Sequence, residues 1–369
     1  MRLNLSIFIV GVMINMANAR TIPVYFGTYS EGIYRSVFDD ENGKLSNPVL
    51  AGRLNGASYF VIDSERSFLY SVSESGPSSE IAAFKIEDDM SLRLINKLPS
   101  GGSSACYLSF DKTERYLFAA NYSSGTVAVF SIAKDHSLKE MTCLVQHETG
   151  KDEAGNAVSP RAHSMIPDIY NKHLFSADLG LDRIMIYDFD IESGQIKSAS
   201  QPFLQLEKGS GPRHLVFNDT GEVLYCINEL ASTIAVLAYF PENSSKMLAP
   251  AQTISTLPTD YEGRNACAEV LISPCKKYLY ASNRGHDTIA AFRINPDDGK
   301  LSFLDCCTGD IDFPRGFRLD PSGKFCLVAN QKGDSVVVFA IDQKVGLLKR
   351  TEHRIAIAKP VFVKFLDKY

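Results

Sequence analysis

Two columns of residues recur along this chain, and they run out of step with each other. A small polar residue, most often asparagine, closes an apolar run at Thr28, Ser73, Asn121, Asp178, Asn228, Asn283 and Asn330, at spacings of 45, 48, 57, 50, 55 and 47 residues. A second column ends a preceding apolar run at Asp63, Asp111, Pro167, Asn218, Ser273, Asp320 and Asp367. The first column begins near the N-terminus, whereas the second ends near the C-terminus. A period of this length marks a supersecondary unit that buries its apolar face only against its neighbours. The stretches "GPRHLVFNDTGEVLYCINELASTIAVLAYF" and "FPRGFRLDPSGKFCLVANQKGDSVVVFAIDQKVGLL" show one unit each. Each has an apolar strand, a polar turn, a second strand ending in Asn, another turn, and a third strand, followed by a more polar fourth.

The offset between the columns predicts how the ends meet. The segments "PVYFGTYS", "GIYRSVFDD" and "KLSNPVLAG" supply strands two to four of a unit, and the final "PVFVKFLD" supplies a first strand. Joined, they complete a four-stranded sheet and close a ring without a loose edge. The fold class expected is all-β: a single seven-bladed propeller of four-stranded antiparallel blades, its C-terminal strand joining the N-terminal blade. A solenoid would instead need distinct capping repeats. Length alone, at 369 residues and 45% hydrophobic, suggests two or three domains. A closed β architecture uses the whole length as one. The turns "NDTG", "DPSG", "NPDDG" and "IESG" place Gly or Asp/Asn where the chain must reverse.

The N-terminus reads as a signal peptide over residues 1–19. Arg2 precedes an apolar run from Leu5 to Met16, and Ala17-Asn18-Ala19 fits a small-x-small cleavage site. The domain is then residues 20–369, and the exported protein is expected in the periplasm. The apolar run is short for a membrane span, and none follows, so no membrane association is expected after cleavage. Net charge is −5 with both signs interspersed, which argues against a nucleic-acid partner. The eight cysteines are irregularly spaced and several lie inside strand-like runs, so buried free thiols are expected, with one or two bridges left open. Neither a C-x-x-C pair nor zinc spacing occurs, and no metal or other cofactor is expected.

In a propeller the starts of the inner strands and the ends of the second strands face one mouth of the central hub. Arg213 and His214 are thereby brought beside Glu229. The equivalent positions in other units bring Ser58, Cys106, His163, Glu269 and Arg315 together with Tyr29, Glu74, Tyr122, Leu179, Arg284 and Gln331. Polar convergence in one concavity is an active-site hypothesis. The stretches "GPRHLVFNDTGEVLYCINEL", "YLYASNRGHDTIAAFRINPDDGKL", "PRGFRLDPSGKF", "SADLGLDRIMIYDFD" and "YFGTYSEGIYR" resemble the seven-bladed-propeller lactonases, which include 6-phosphogluconolactonases and share a scaffold with carboxy-cis,cis-muconate lactonising enzyme. The resemblance implies catalytic roles for His163, Arg213, Glu229 and Arg284, and a substrate-side role for Arg315. One departure stands out: relatives carry Pro-His-x-His where this chain reads Pro160-Arg161-Ala162-His163.

The chemistry expected is hydrolysis of a small anionic or sugar lactone such as 6-phosphogluconolactone. Arginines would stabilise the developing oxyanion or grip an anionic substituent. His163 would act as general base, and Glu229 would orient a partner or, with its pKa raised by burial, take the proton. His214, Glu74, Tyr29 and Tyr122 complete the binding wall. No Gly-x-Ser-x-Gly elbow points to a serine nucleophile. The alternatives are a muconate-type cyclase and a propeller that binds a ligand without turnover. Plain structural readings also stand: a blade-to-blade Arg213–Glu229 ion pair, packing roles for His214, Cys106 and the tyrosines, and solvated positions for His147, His173, His286 and His353.

Overall fold

The computed structural model describes residues 20–75, 78–151 and 154–367, and the signal-peptide reading over residues 1–19 lies outside them. Among the described residues the regular structure consists of strands, arranged as seven four-stranded antiparallel sheets and one small hairpin, Gly150–Lys151 with Ala157–Val158. Six sheets are consecutive in sequence, their inner strands being Phe60–Ile62, Ala105–Phe110, Ala162–Pro167, Pro212–Phe217, Ala266–Ile272 and Pro314–Leu319. The seventh is composite: the last strand, Pro360–Phe365, pairs with Thr21–Thr28, which continues outward to Gly32–Asp39 and Val49–Arg53. Phe60 of the next blade meets Phe362 edge to face at 5.0 Å, and the ring is complete.

The reason for the continuous apolar runs lies between the blades. Side chains alternate sides along a strand, and each blade has a neighbour on both faces. Tyr225 and Ile227 therefore pack toward the following blade, in a cluster with Val270, Leu279 and Phe292. Leu224 and Cys226 pack toward the preceding one, with Phe175 and Ile184. Seven such clusters fill the seven blade interfaces. Burial on this scale contributes about 25 cal/mol per Å² of apolar surface.

Both columns have a hydrogen-bonding cause. Asn121 and Asn283 donate from Nδ2 to the carbonyls of Ser100 and Thr256, and to Thr126 and Thr288, and so pin the second strand to its outer loop. In the other column, Asp63, Asp111, Asn218 and Asp320 accept from the backbone N–H of Phe68, Tyr116, Val223 and Phe325, which closes each inner turn. This geometry corrects two assignments. Asp168, not Pro167, performs that task in its blade, accepting from Lys172 and His173 N–H. At the chain's end the equivalent position is Leu366, whose N–H donates to Pro23; Asp367 instead pairs with Arg20 at 2.6 Å. All eight cysteines are free thiols, so neither of the bridges left open by the sequence forms.

The inner strands carry the feature that builds the mouth. In six of them the register with the second strand slips near the start of the inner strand. The residues left over are Cys106, His163, Arg213, Ala268–Glu269, Arg315 and Val361. Such a bulge re-aims a side chain and ends regular pairing. Two glycines permit it. Gly211 sits at φ 61 just before Pro212-Arg213, and a Cβ at Gly316 would lie 2.4 Å from the Val361 carbonyl oxygen.

Candidate active site

Arg213 projects from its bulge toward Glu229, which follows the second strand of the same blade. Its Nε lies 2.9 Å from Glu229 Oε2, a charge contact rather than a well-aligned hydrogen bond. Its Nη1 donates to the Ala268 carbonyl of the next blade. Arg284, from that next blade, brings Nη2 to the same Oε2 at 2.9 Å and also donates to the Cys267 and Ala266 carbonyls. The ion pair expected between blades is thus corrected: Arg213–Glu229 lies within one blade, and Arg284–Glu229 crosses the interface.

The carboxylate's charge state follows. Burial works to raise the Glu229 pKa, but the guanidinium groups of Arg213, Arg284 and Arg315 outweigh it and hold it below the ordinary 4.5. The condition for Glu229 to take the proton, a pKa raised by burial, is not met, and its other expected role, orienting an arginine, fits these contacts. Arg284 shows the complementary strain: burial, with the nearby charge of Arg213, pushes it down to about 10. Phe313 lies against this guanidinium, its ring centroid 5.4 Å away, with a left-handed backbone at φ 56 that costs a bulky residue about 1–3 kcal/mol.

His214 is buried behind Arg213. Its Nδ1 lies 2.9 Å from Glu269 Oε1, and its Nε2 is 3.1 Å from Arg213 Nη1. A guanidinium only donates, so Nε2 accepts and Nδ1–H donates to Glu269. The imidazole is neutral: burial and the charge of Arg213 push it down to about 4. Glu269 stays ionised, since His214, Arg318 and Arg213 outweigh the effect of its burial. The packing role open for His214 becomes a definite one, because Glu269 fixes a histidine that in turn seats Arg213.

His163 stands 5.3 Å from His214, ring to ring, and 5.4 Å from Tyr122. Its Nδ1 is 3.8 Å from the Cys106 thiol, and among the described residues nothing pairs with its Nε2. Burial first, and then the charges of Arg213, His214 and Arg315, hold its pKa well below 6.5. Cys106 is buried and its thiol is pushed far up by desolvation, consistent with a packing role. Arg161, which replaces the first histidine of the related motif, donates to the Ser123 carbonyl at 2.9 Å and lies over the Tyr122 ring at 5.4 Å. It adds a cation to the rim.

Across the hub, Glu74 accepts from Tyr29 Oη at 2.8 Å and from Ser58 Oγ at 2.6 Å. Arg315 lies over the Tyr29 ring at 5.2 Å. Its guanidinium forms no hydrogen bond or ion pair among the described residues, unlike Arg213 and Arg284. Its charge nonetheless acts on Glu229, Arg284 and His163 alike. All nine residues singled out in the sequence therefore share one mouth.

Two histidines depart from expectation. His147 is fully buried, with Nδ1 at 2.6 Å from Asp178 Oδ2 and its ring stacked near Tyr187. His173 binds Tyr239 Oη at 2.7 Å, and that hydroxyl donates to Asp168 at 2.8 Å, tying two blades together. His147 is enclosed and His173 largely so, and each ring finds a polar partner through Nδ1. Phe313 escaped sequence reasoning; its only signal was the aromatic residue before Pro314-Arg315.

Residues 23–365 match the family described as lactonase, 7-bladed beta-propeller. A 6-phosphogluconolactonase of Bacillus subtilis is 30% identical over 350 residues, covering 93% of this chain and 98% of that one. A 6-phosphogluconolactonase of Formosa agariphila is 31% identical over 332 residues, covering 88% and 93%. The structure of the Pseudomonas aeruginosa periplasmic gluconolactonase PpgL superposes with a TM-score of 0.89 at 28% identity, covering 95% of this chain and all of that one.

Proposed function

The chain belongs to the seven-bladed β-propeller lactonase family, and we propose that it opens a sugar lactone of the gluconolactone type by adding water to the ring ester. Water attacks the carbonyl carbon, the carbonyl oxygen takes up negative charge, and the ring C–O bond then breaks to leave a hydroxyl and a carboxylic acid, which gives up its proton to solvent as a carboxylate. The observation that carries this reading is Arg315, a guanidinium in the mouth with no hydrogen bond or ion pair among the described residues, beside two arginines that share the single Glu229 carboxylate. Arg315 is the group able to meet an oxyanion or an anionic substituent, held in place by the Tyr29 ring and its Glu74 and Ser58 anchors. Arg213 and Arg284, locked by Glu229 and backbone carbonyls, keep the field positive without reorganising.

His163 is the candidate general base. It is neutral, and its Nε2 is available to accept the proton of the attacking water. Its low basicity is a ground-state property; an oxyanion forming nearby would stabilise the imidazolium as the proton arrives. The proton then passes to the departing ring oxygen. The chain shows no nucleophile elbow, so direct attack by water is the route proposed. Export to the periplasm is supported by the N-terminal pattern ending at Ala19 and by the likeness to a periplasmic gluconolactonase. An exported enzyme would meet the unphosphorylated lactone.

The test is hydrolysis of glucono-δ-lactone and of 6-phosphogluconolactone, each corrected for spontaneous opening, by the wild type and by Arg315→Met. Turnover above background with at least one lactone, falling about 100-fold in kcat/KM in the variant, is expected. Background rates on both lactones would sink the enzymatic reading. The suppressed basicity of His163 favours a second reading in that case, ligand capture without turnover, recognised by a ligand-induced rise in Tm that Arg213→Ala abolishes.

A further inference from the structure

The hub has a second end. Below His214 the channel is filled by rings: Tyr59 stacks on Tyr107 at 4.4 Å and meets Phe362 at 4.2 Å, while His214 lies edge-on to Tyr59 and Tyr107 at 6.0 and 5.0 Å. Arg318, three residues beyond Arg315 on its inner strand, lies 5.8 Å over the Phe362 ring of this plug. Lys364 follows two residues later on the same inner strand as Phe362. Arg318 and Lys364 thus come from neighbouring inner strands, and they line one recess of about 220 Å³ together with Leu271, Ile272 and Pro274.

Neither cation forms an ion pair among the described residues, although the charge of Arg318 acts on Glu269 on the other side of the plug. The one hydrogen bond of Arg318 is a long one, Nε to the Val363 carbonyl at 3.4 Å. Lys364 has no hydrogen bond or ion pair among the described residues. The carboxylates at the recess are engaged elsewhere: Asp320 accepts from Ser322 and the Phe325 N–H of its own turn, and Asp367 pairs with Arg20. Two like charges, side by side in a partly enclosed place, cost free energy that an anion would offset. The neighbourhood registers this cost, since burial, with the adjacent Arg318 charge, pushes the Lys364 ammonium down to about 7.

We propose that Arg318 and Lys364 form a second anion site, at the end of the hub opposite the catalytic candidates, which takes a small oxyanion of the phosphate or carboxylate type. Arg318 would supply the directed donors and Lys364 a point charge. The aromatic plug stands between it and the mouth that holds Arg315.

Inorganic phosphate is the probe, followed by thermal melting of the full-length exported chain, with acetate as the carboxylate arm. A saturable rise in Tm of about 3 °C is expected for the wild type and for Arg315→Met. In the Arg315→Met background, where the mouth has lost its own anion-binding group, adding Arg318→Met or Lys364→Met should abolish the rise. Should either variant misfold, mass-spectrometric footprinting of the wild type decides: phosphate should slow acetylation of Lys364 several-fold while leaving exposed Lys197 unaffected. An unshifted wild type, a shift retained in both double variants, or one already lost in Arg315→Met alone would overturn the proposal. A response to acetate but not phosphate would confine the site to carboxylates; the reverse would confine it to phosphate.

Discussion

Replacing Glu229 by Gln tests the electrostatic centre of the mouth. One oxygen of this carboxylate holds two guanidinium groups at 2.9 Å each, and its side chain is only 19% exposed. Removing one partner of a buried pair costs about 3–5 kcal/mol, because the charge left behind is uncompensated. Here the low end applies, since both arginines keep their carbonyl acceptors and the mouth admits water. Unfolding entropy of about 2.1 cal/mol/K per residue gives ~0.7 kcal/mol/K for a propeller of this size, so ~3 kcal/mol lowers Tm by about 4 °C. The pH dependence carries the sign. Arg213, Arg284 and Arg315 hold the folded-state pKa of Glu229 below its ordinary value, against the effect of burial. Its contribution is therefore present at neutral pH and is lost as pH falls through that depressed value. Melts followed by circular dichroism at pH 7 should show the gap between wild type and variant, and a series of melts at pH values stepping down below 4.5 should show it closing. A variant within 1 kcal/mol of wild type at pH 7, or a gap that does not narrow in acid, would refute the account.

Three further outcomes are expected. His163→Asn should lower kcat for lactone opening by about 10²–10⁴-fold while leaving Tm within a few degrees, read by initial rates and melting together. His214 has its folded pKa depressed to about 4, so the unfolded chain takes up a proton at higher pH than the folded one. Wild-type stability should accordingly fall as pH drops from 6.5 toward 4, by at most about 3 kcal/mol from this residue, and His214→Asn should flatten that slope in chemical denaturation. Deleting residues 360–369 removes the inner strand of the composite blade and leaves Thr21–Thr28 with a bare edge; the expected product aggregates and shows no cooperative melt, and a monomeric, cooperatively folded product would count against strand closure.

Much of this architecture was legible because it rests on local rules. Period-two alternation, the turn-closing Asp and Asn residues and the offset of the two columns gave seven blades and their closure. The mouth was legible at the level of which residues gather there. One error of detail has a local cause: Pro167 ends its apolar run as a turn residue would, one position before Asp168, and only the hydrogen bonds show which of the two closes the turn. Charge state was out of reach, because the ionisation of Glu229 depends on three arginines drawn from three blades. So was the burial of His147, whose partner Asp178 is 31 residues away. Arg318 and Lys364 did leave a trace: a basic residue inside the otherwise apolar "GFRL" and "VFVKF".

The pairing of Thr21–Thr28 with Pro360–Phe365, latched by Arg20 and Asp367 at a separation of 347 positions, also sets a schedule. A nascent polypeptide emerging from the ribosome makes its opening strands first and their partner last. The opening strands can pair with one another, but the inner edge of Thr21–Thr28 must wait for Pro360–Phe365. The wheel cannot lock until residues 360–365 have been made, so up to that point the ring stays open at this one seam.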